Sequence, residues 1–235
     1  MPTPTRPARI ARMSPMQRIA ATHLARSLHE SVPVTLFGQV DAEALLALHS
    51  RLAADRGSGP RVTLTHLIVK AVALALRAHE GINASLAGQE LHIHADIHIG
   101  VALSLADGQL MVPVLHHADR NSLGEIAATL HTLSERAAAG TLGLADVRGA
   151  TFTVSNGGMV PSVRWSTPII PLGQAAILGL GAVHEAVVAH DGAVAVRRVL
   201  PTSLSFDHRI VNGVPAARFL DDVHRLIVDP QPLLA

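Results

Sequence analysis

The sequence predicts an α/β fold of the α+β kind, a mixed β-sheet flanked by helices, and three observations lead there. Hydrophobic residues make up 49% of the 235 positions, with one Trp, four Phe and no Tyr, which provides a large and almost purely aliphatic core. Helix-like and strand-like segments alternate without a regular βαβ beat, a pattern that suits a mixed sheet better than a parallel one. Residues 63–79 are apolar on every side of a helix, and such a helix is a buried one. Its Lys70 is the only lysine in the chain.

Taken in order, residues 1–12 read as the stub of a Pro-rich linker and 13–235 as one domain. Ser14-Pro15-Met16-Gln17 has the form of a capping box with Pro at the first helical position, opening a helix through Ile19, Leu24 and Leu28. Val32, Val34 and Leu36 alternate as a strand. Asp41 caps a second helix carrying Leu45, Leu46, Leu48 and Leu52, which Arg56-Gly57-Ser58-Gly59-Pro60 ends. Beyond the buried helix, residues 82–93 read as a hairpin turning near Gly88. Residues 96–105 and 110–115 follow as two strands joined at Asp107-Gly108. Ser122-Leu123-Gly124-Glu125 is a second capping box, starting a helix to about Ala139. Further strands are expected near 151–155, 175–182, 186–190 and 193–206, the last two flanking the hairpin dipeptide Asp191-Gly192. A final helix spans about 214–228 and stops before Pro230.

Composition excludes several functions. The formal net charge is +1 and the basic residues are dispersed, whereas nucleic-acid binding calls for a concentrated basic patch. No apolar run reaches the length of a membrane span. The chain has no Cys, so it has no disulfide, no thiolate metal site and no cysteine nucleophile. The opening residues lack the apolar stretch of a secretory signal, and a cytoplasmic protein is expected. No Gly-rich strand–turn–helix of the nucleotide-binding kind is present. His92, His94 and His98 share one face of a continuous strand, but the outer two would then lie about 20 Å apart, too far for one ion. His116 and His117 point to opposite faces of an extended chain, so no metal is expected. Asp221-Asp222 reads as a solvated face, and Trp165 as packing or as the wall of a substrate channel.

Two segments carry chemistry. In Ser205-Phe206-Asp207-His208-Arg209-Ile210-Val211-Asn212-Gly213 a strand delivers a polar cluster immediately before a helix. A His held rigidly there suits a general base, the role for which imidazole is the most common side chain. The plainer alternative is a buried His satisfied by backbone. In Thr151-Phe152-Thr153-Val154-Ser155-Asn156-Gly157-Gly158 a Ser ends a strand beside two glycines, where ligand backbone can pass closely. Its hydroxyl is of the type that stabilises a tetrahedral oxyanion; the alternative is a turn residue.

The first segment resembles the Asp-His-Arg-x-x-Asp/Asn-Gly signature of the dihydrolipoyl acyltransferase catalytic domains of 2-oxo acid dehydrogenase complexes, which share the chloramphenicol acetyltransferase fold. The second resembles that family's Phe-Thr-x-Ser/Thr-Asn-x-Gly segment. The likeness extends through Met16-Gln17-Arg18-Ile19-Ala20, Ile82-Asn83-Ala84-Ser85, Leu110-Met111-Val112-Pro113-Val114, Thr167-Pro168-Ile169-Ile170 and Ala175-Ala176-Ile177-Leu178-Gly179. It is collinear from about residue 9 to the C-terminus. Ile170-Pro171-Leu172-Gly173-Gln174 departs from the Asn-Pro-Pro usual before that last strand.

The resemblance implies a chloramphenicol acetyltransferase-like mixed-sheet sandwich that forms trimers, and a reaction. His208 takes the proton of a dihydrolipoyl thiol, the thiolate attacks an acyl-coenzyme A thioester, and Ser155 stabilises the oxyanion. Asn212 stands where many relatives have Asp; lacking charge, it is assigned a structural role at the turn, and an ion pair with Arg18 is impossible. Coenzyme A and lipoamide are implied as substrates. The implied partners are a lipoyl domain and further copies of the chain, as a homotrimer or a larger cubic or icosahedral core with the His of one subunit facing the Ser of another. The Asn156-Gly157-Gly158 variant is nearest to succinyl-transferring members. No Asp-Lys-Ala-like lipoylation hairpin occurs. Acyl transfer to a small amine, alcohol or carrier thiol, or a non-catalytic scaffold, remain the alternatives.

Overall fold

A computed structural model describes residues 11–54, 59–105 and 110–235, without the Met16 side chain. The linker stub up to residue 10, most of the segment following the second helix and the Asp107-Gly108 turn lie outside the described residues. Helix α1 (Pro15–Glu30) begins with the expected capping box: the Gln17 N–H donates to Ser14 Oγ and the Ser14 N–H to Gln17 Oε1. Strand β1 (Pro33–Asp41) leads into α2 (Glu43–Ala54), whose first N–H donates to Asp41 Oδ1 at 2.9 Å. Helix α3 (Leu64–Leu76) is buried as expected, but it is shorter than 63–79 and has a capping box of its own, Thr63 with His66. The sequence reading missed that box because the reciprocal acceptor is a His ring nitrogen where Glu or Gln is usual.

Strands β2 (Ala84–Ala87) and β3 (Glu90–Ile93) form the predicted hairpin as a separate two-stranded sheet. Strand β4 (Ile99–Ser104) is shorter than predicted, and the segment 110–115 is two short strands, β5 (Leu110–Met111) and β6 (Val114–Leu115). Pro113 has no N–H to continue a ladder, which accounts for the break. Its carbonyl still accepts from the Val101 N–H. Helix α4 (Leu123–Ala138) starts at the second predicted capping box. Strands β7 (Phe152–Asn156), β8 (Ala176–Leu180), β9 (His184–His190) and β10 (Ala193–Asp207) precede α5 (Gly213–Val228). Among the described residues no helix is long and apolar enough to cross a membrane.

The main sheet runs β1-β10-β8-β7-β4-β5, with β6 also on β4 and β9 on β10. Its β4, β7 and β8 are parallel and the other pairs antiparallel, so the sheet is mixed. Two adjacent rows across it show how its faces are used. Val154, Leu178, Leu204 and Leu36 are level with one another and are buried or half-buried. That face meets α5: Thr202 Oγ1 lies 2.9 Å from His224 Nε2, and a Cβ on Gly38 would collide with the same imidazole. The next row is Ser155, Gly179, Ser203 and Phe37, on the opposite face because side chains alternate. This second face is rich in hydroxyls, with Thr35 Oγ1 2.8 Å from Ser205 Oγ and Thr153 Oγ1 donating to Gln174 Oε1. It is partly roofed by the segment before β8, whose Ser166 N–H donates to Ser203 Oγ.

Two expectations about side chains are corrected. Asp222 is not merely solvated, since its carboxylate takes His79 Nε2 at 2.7 Å and joins α5 to the turn after α3. His116 and His117 do not diverge: both rings pack edge-on against His98, with centroids 4.8 and 4.7 Å away. The backbone at His117 has φ of 50°, so the chain turns there and is not extended.

Candidate active site

His208 is placed by the end of β10. The strand holds register with β1 and β8 to its last residues, and the His208 N–H donates to Val32 O at 2.8 Å. The ring is exposed, 5.8 Å from the Phe206 ring by centroid. The turn that presents it is organised by Asp207. Its carboxylate accepts from the Val32 N–H, the Arg209 N–H and the Arg209 guanidinium, the last with a contact of 2.6 Å. Its carbonyl accepts from the N–H groups of Ile210 and Val211. Burial opposes ionisation of this carboxyl, but the Arg209 guanidinium and the backbone N–H donors outweigh it and hold Asp207 below the usual carboxylate range.

Asn212 follows as the N-cap of α5, and its carbonyl starts the helical ladder with the Ala216 N–H. Its side chain makes no capping hydrogen bond and is exposed. The turn-holding role expected of Asn212 is therefore filled by Asp207. Arg18 donates to Met13 O at 2.7 Å, within its own helix start.

Ser155 is the penultimate residue of β7, half-buried. The residue after it is anchored twice: Asn156 Nδ2 donates to Thr65 Oγ1 and Oδ1 accepts from the Gly158 N–H, both at 2.9 Å. Backbone crowding makes the glycines here obligatory. A Cβ on Gly158 would strike the Gly181 carbonyl, and one on Gly181 the Arg164 carbonyl. Trp165 is held elsewhere, at β1, with Nε1 donating to Gly38 O at 3.1 Å.

The structure does not bring Ser155 and His208 together within one chain. Ser155 is level with Gly179 and Ser203, while His208 lies five positions beyond Ser203, about 16 Å along the strand and two strands, about 10 Å, across. A base and an oxyanion donor must each lie within about 3 Å of atoms of the same reacting group.

The fold and this pair of strand-end segments define a class, and comparison with known proteins bears it out. Residues 5–235 match the family described as 2-oxoacid dehydrogenases acyltransferase (catalytic domain), and the chain belongs to that family. It is 33% identical over 221 residues to the dihydrolipoyllysine-residue acetyltransferase component of the acetoin cleaving system of Bacillus subtilis (strain 168), covering 93% of this chain and 55% of that one. It is 35% identical over 232 residues to the succinyltransferase component of the 2-oxoglutarate dehydrogenase complex of Pseudomonas aeruginosa PAO1, covering 96% and 56%. The chain thus spans little more than half the length of these relatives.

Among solved structures, the cubic core of the pyruvate dehydrogenase multienzyme complex superposes with a TM-score of 0.92 at 34% identity, over 100% of both chains. The same values hold for a dihydrolipoamide acetyltransferase of Azotobacter vinelandii. In the catalytic mechanism of that enzyme a serine, a histidine and an asparagine four positions after the histidine have been investigated. Chloramphenicol acetyltransferase, at 11% identity and a TM-score of 0.54 over 88% of this chain and 94% of that one, shares the fold.

Proposed function

We propose that the chain transfers an acyl group between coenzyme A and a dihydrolipoyl thiol, at a site made by two copies of the chain. His208 of one copy removes the thiol proton. The thiolate attacks the thioester carbonyl carbon, and the carbonyl oxygen becomes an oxyanion that accepts a hydrogen bond from Ser155 of the neighbouring copy. Collapse expels the coenzyme A thiolate, which takes the proton back from His208. The reverse reaction uses the same groups. The thiol belongs to a lipoyl domain, and the copies assemble at least as a trimer.

The observation that carries this reading is the separation of Ser155 from His208 along the sheet, combined with the exposure of the His208 ring. Two groups that far apart cannot act on one carbonyl unless another copy supplies one of them. The order Ser155, His208, Asn212, with the last two four positions apart, matches the residue types investigated in the Azotobacter vinelandii relative. Relatives that transfer acetyl and succinyl groups occur side by side, so acetyl-, succinyl- and branched acyl-coenzyme A are assayed with dihydrolipoamide.

Complementation tests the shared site. His208→Ala and Ser155→Ala are each expected to be inactive alone. Co-assembled in equal amounts, random mixing in a cyclic oligomer pairs an intact His with an intact Ser in about a quarter of the sites. Recovery near a quarter of wild-type turnover is expected. No recovery from verified mixed oligomers would overturn the two-copy site.

A further inference from the structure

We propose that Asp96, His98 and His117 form a binding site for a divalent transition-metal ion such as zinc, separate from acyl transfer. The three side chains come from the approach to β4 and from the turn that follows β6. One ligand atom from each lies within 4.8 Å of the others. His117 Nδ1 stands 3.2 Å from Asp96 Oδ1, close to the ligand–ligand spacing of about 3.3–3.5 Å in a tetrahedral zinc site. Two imidazoles and one carboxylate are ligands that zinc takes, with a fourth position left for water.

A second observation points to a ligand. His117 Nδ1 is itself shielded from solvent, although the side chain is 45% exposed, and it faces the Asp96 carboxylate without a well-directed hydrogen bond. A polar atom left this way is costly unless a positive group satisfies it and the carboxylate together. His117 also adopts the left-handed backbone region at φ 50°, which turns its ring back onto His98.

Two contacts must change when the ion binds. Arg120 Nη2 lies 2.7 Å from Asp96 Oδ1, but its side chain is largely exposed and gives way to a divalent ion readily. His98 Nδ1 accepts from the His117 N–H at 3.0 Å, which places the His98 proton on Nε2. Rotation of that ring about its Cβ–Cγ bond gives up this bond and presents a lone pair. The site tethers the start of β4 to the turn after β6. His98 is level with Thr151, at the opposite end of β7 from Ser155. It lies three strands from β10, about 14 Å from the Asp207 turn of the same chain.

Titration calorimetry with zinc chloride on the whole chain, with thermal melting in parallel, tests the site. One ion per chain and a raised Tm that a chelator reverses are expected. His117→Asn keeps a residue tolerated at positive φ, and His98→Asn keeps an acceptor for the His117 N–H. Each is expected to fold and to weaken zinc binding about tenfold or more, whereas a His92→Gln, His94→Gln double variant binds as wild type. If either Asn variant fails to fold, Asp96→Asn takes its place. Absence of saturable binding, or binding equal to wild type in the ligand variants, would overturn the site.

Discussion

At the scale of single residues, the role proposed for His208 depends on how little holds its ring. Its backbone is fixed to Val32, while the imidazole projects from the protomer. His208→Ala is expected to fold normally and to lose about 10²–10⁴-fold in turnover. Ser155→Ala should cost about 10²–10³-fold in turnover with little change in substrate affinity; a loss confined to affinity would make it a substrate-positioning group. Asp207 behaves differently, because its carboxylate holds the turn. Since its folded pKa is depressed, its contribution to stability is fully present above the unfolded value of about 3.9 and is lost as pH falls through the folded value. Asp207→Asn should therefore flatten the acid limb of a Tm-against-pH profile and cost about 1–3 kcal/mol at neutral pH. By contrast, Asn212→Ala should change Tm little, since its side chain caps nothing. A melt several degrees lower would show that the side chain has a partner.

At the scale of elements, strand ends and helix starts decide where chemistry is presented. The capping boxes at α1 and α4 were legible from the sequence because they depend on residues three apart. Ser122→Ala should cost about 1 kcal/mol, measured by chemical denaturation. The end of β7 obeys no such local rule. Gly158 is required by the carbonyl of Gly181, and Gly181 by that of Arg164, contacts between segments that only the folded sheet brings together. Gly158→Ala forces backbone to move beneath Ser155, and a loss of about 1–3 kcal/mol with reduced turnover is expected. Unchanged activity would separate this packing from the site. Similar reasoning applies to β5 and β6: the missing N–H of Pro113 breaks the predicted strand, yet its carbonyl keeps the ladder in register.

At the scale of the whole molecule, a single chain leaves too much unmatched for a finished enzyme. Leu24 and Leu28, one turn apart on α1, are 47% and 50% exposed, and Ile19 on another side of the helix is 54% exposed; exposed apolar side chains of this kind mark an association surface. With His208 and Ser155 held apart on one sheet, the proposed reaction requires association as well. Light scattering is expected to show at least a trimer, and a stable, active monomer would overturn the assembly.

The sequence by itself determined the order of the elements, the burial of α3, the helix starts and the two segments that carry His208 and Ser155. These depend on hydrophobic periodicity and on side chains a few positions apart. Only the tertiary structure decided that Asp207 rather than Asn212 holds the turn, that Asp222 grips His79, and that His98 meets His116 and His117. It also decided that Ser155 and His208 are separated within one chain. Each of these depends on strand register or on a backbone turn, which bring together residues far apart in sequence, and no local pattern of residue types encodes that distance.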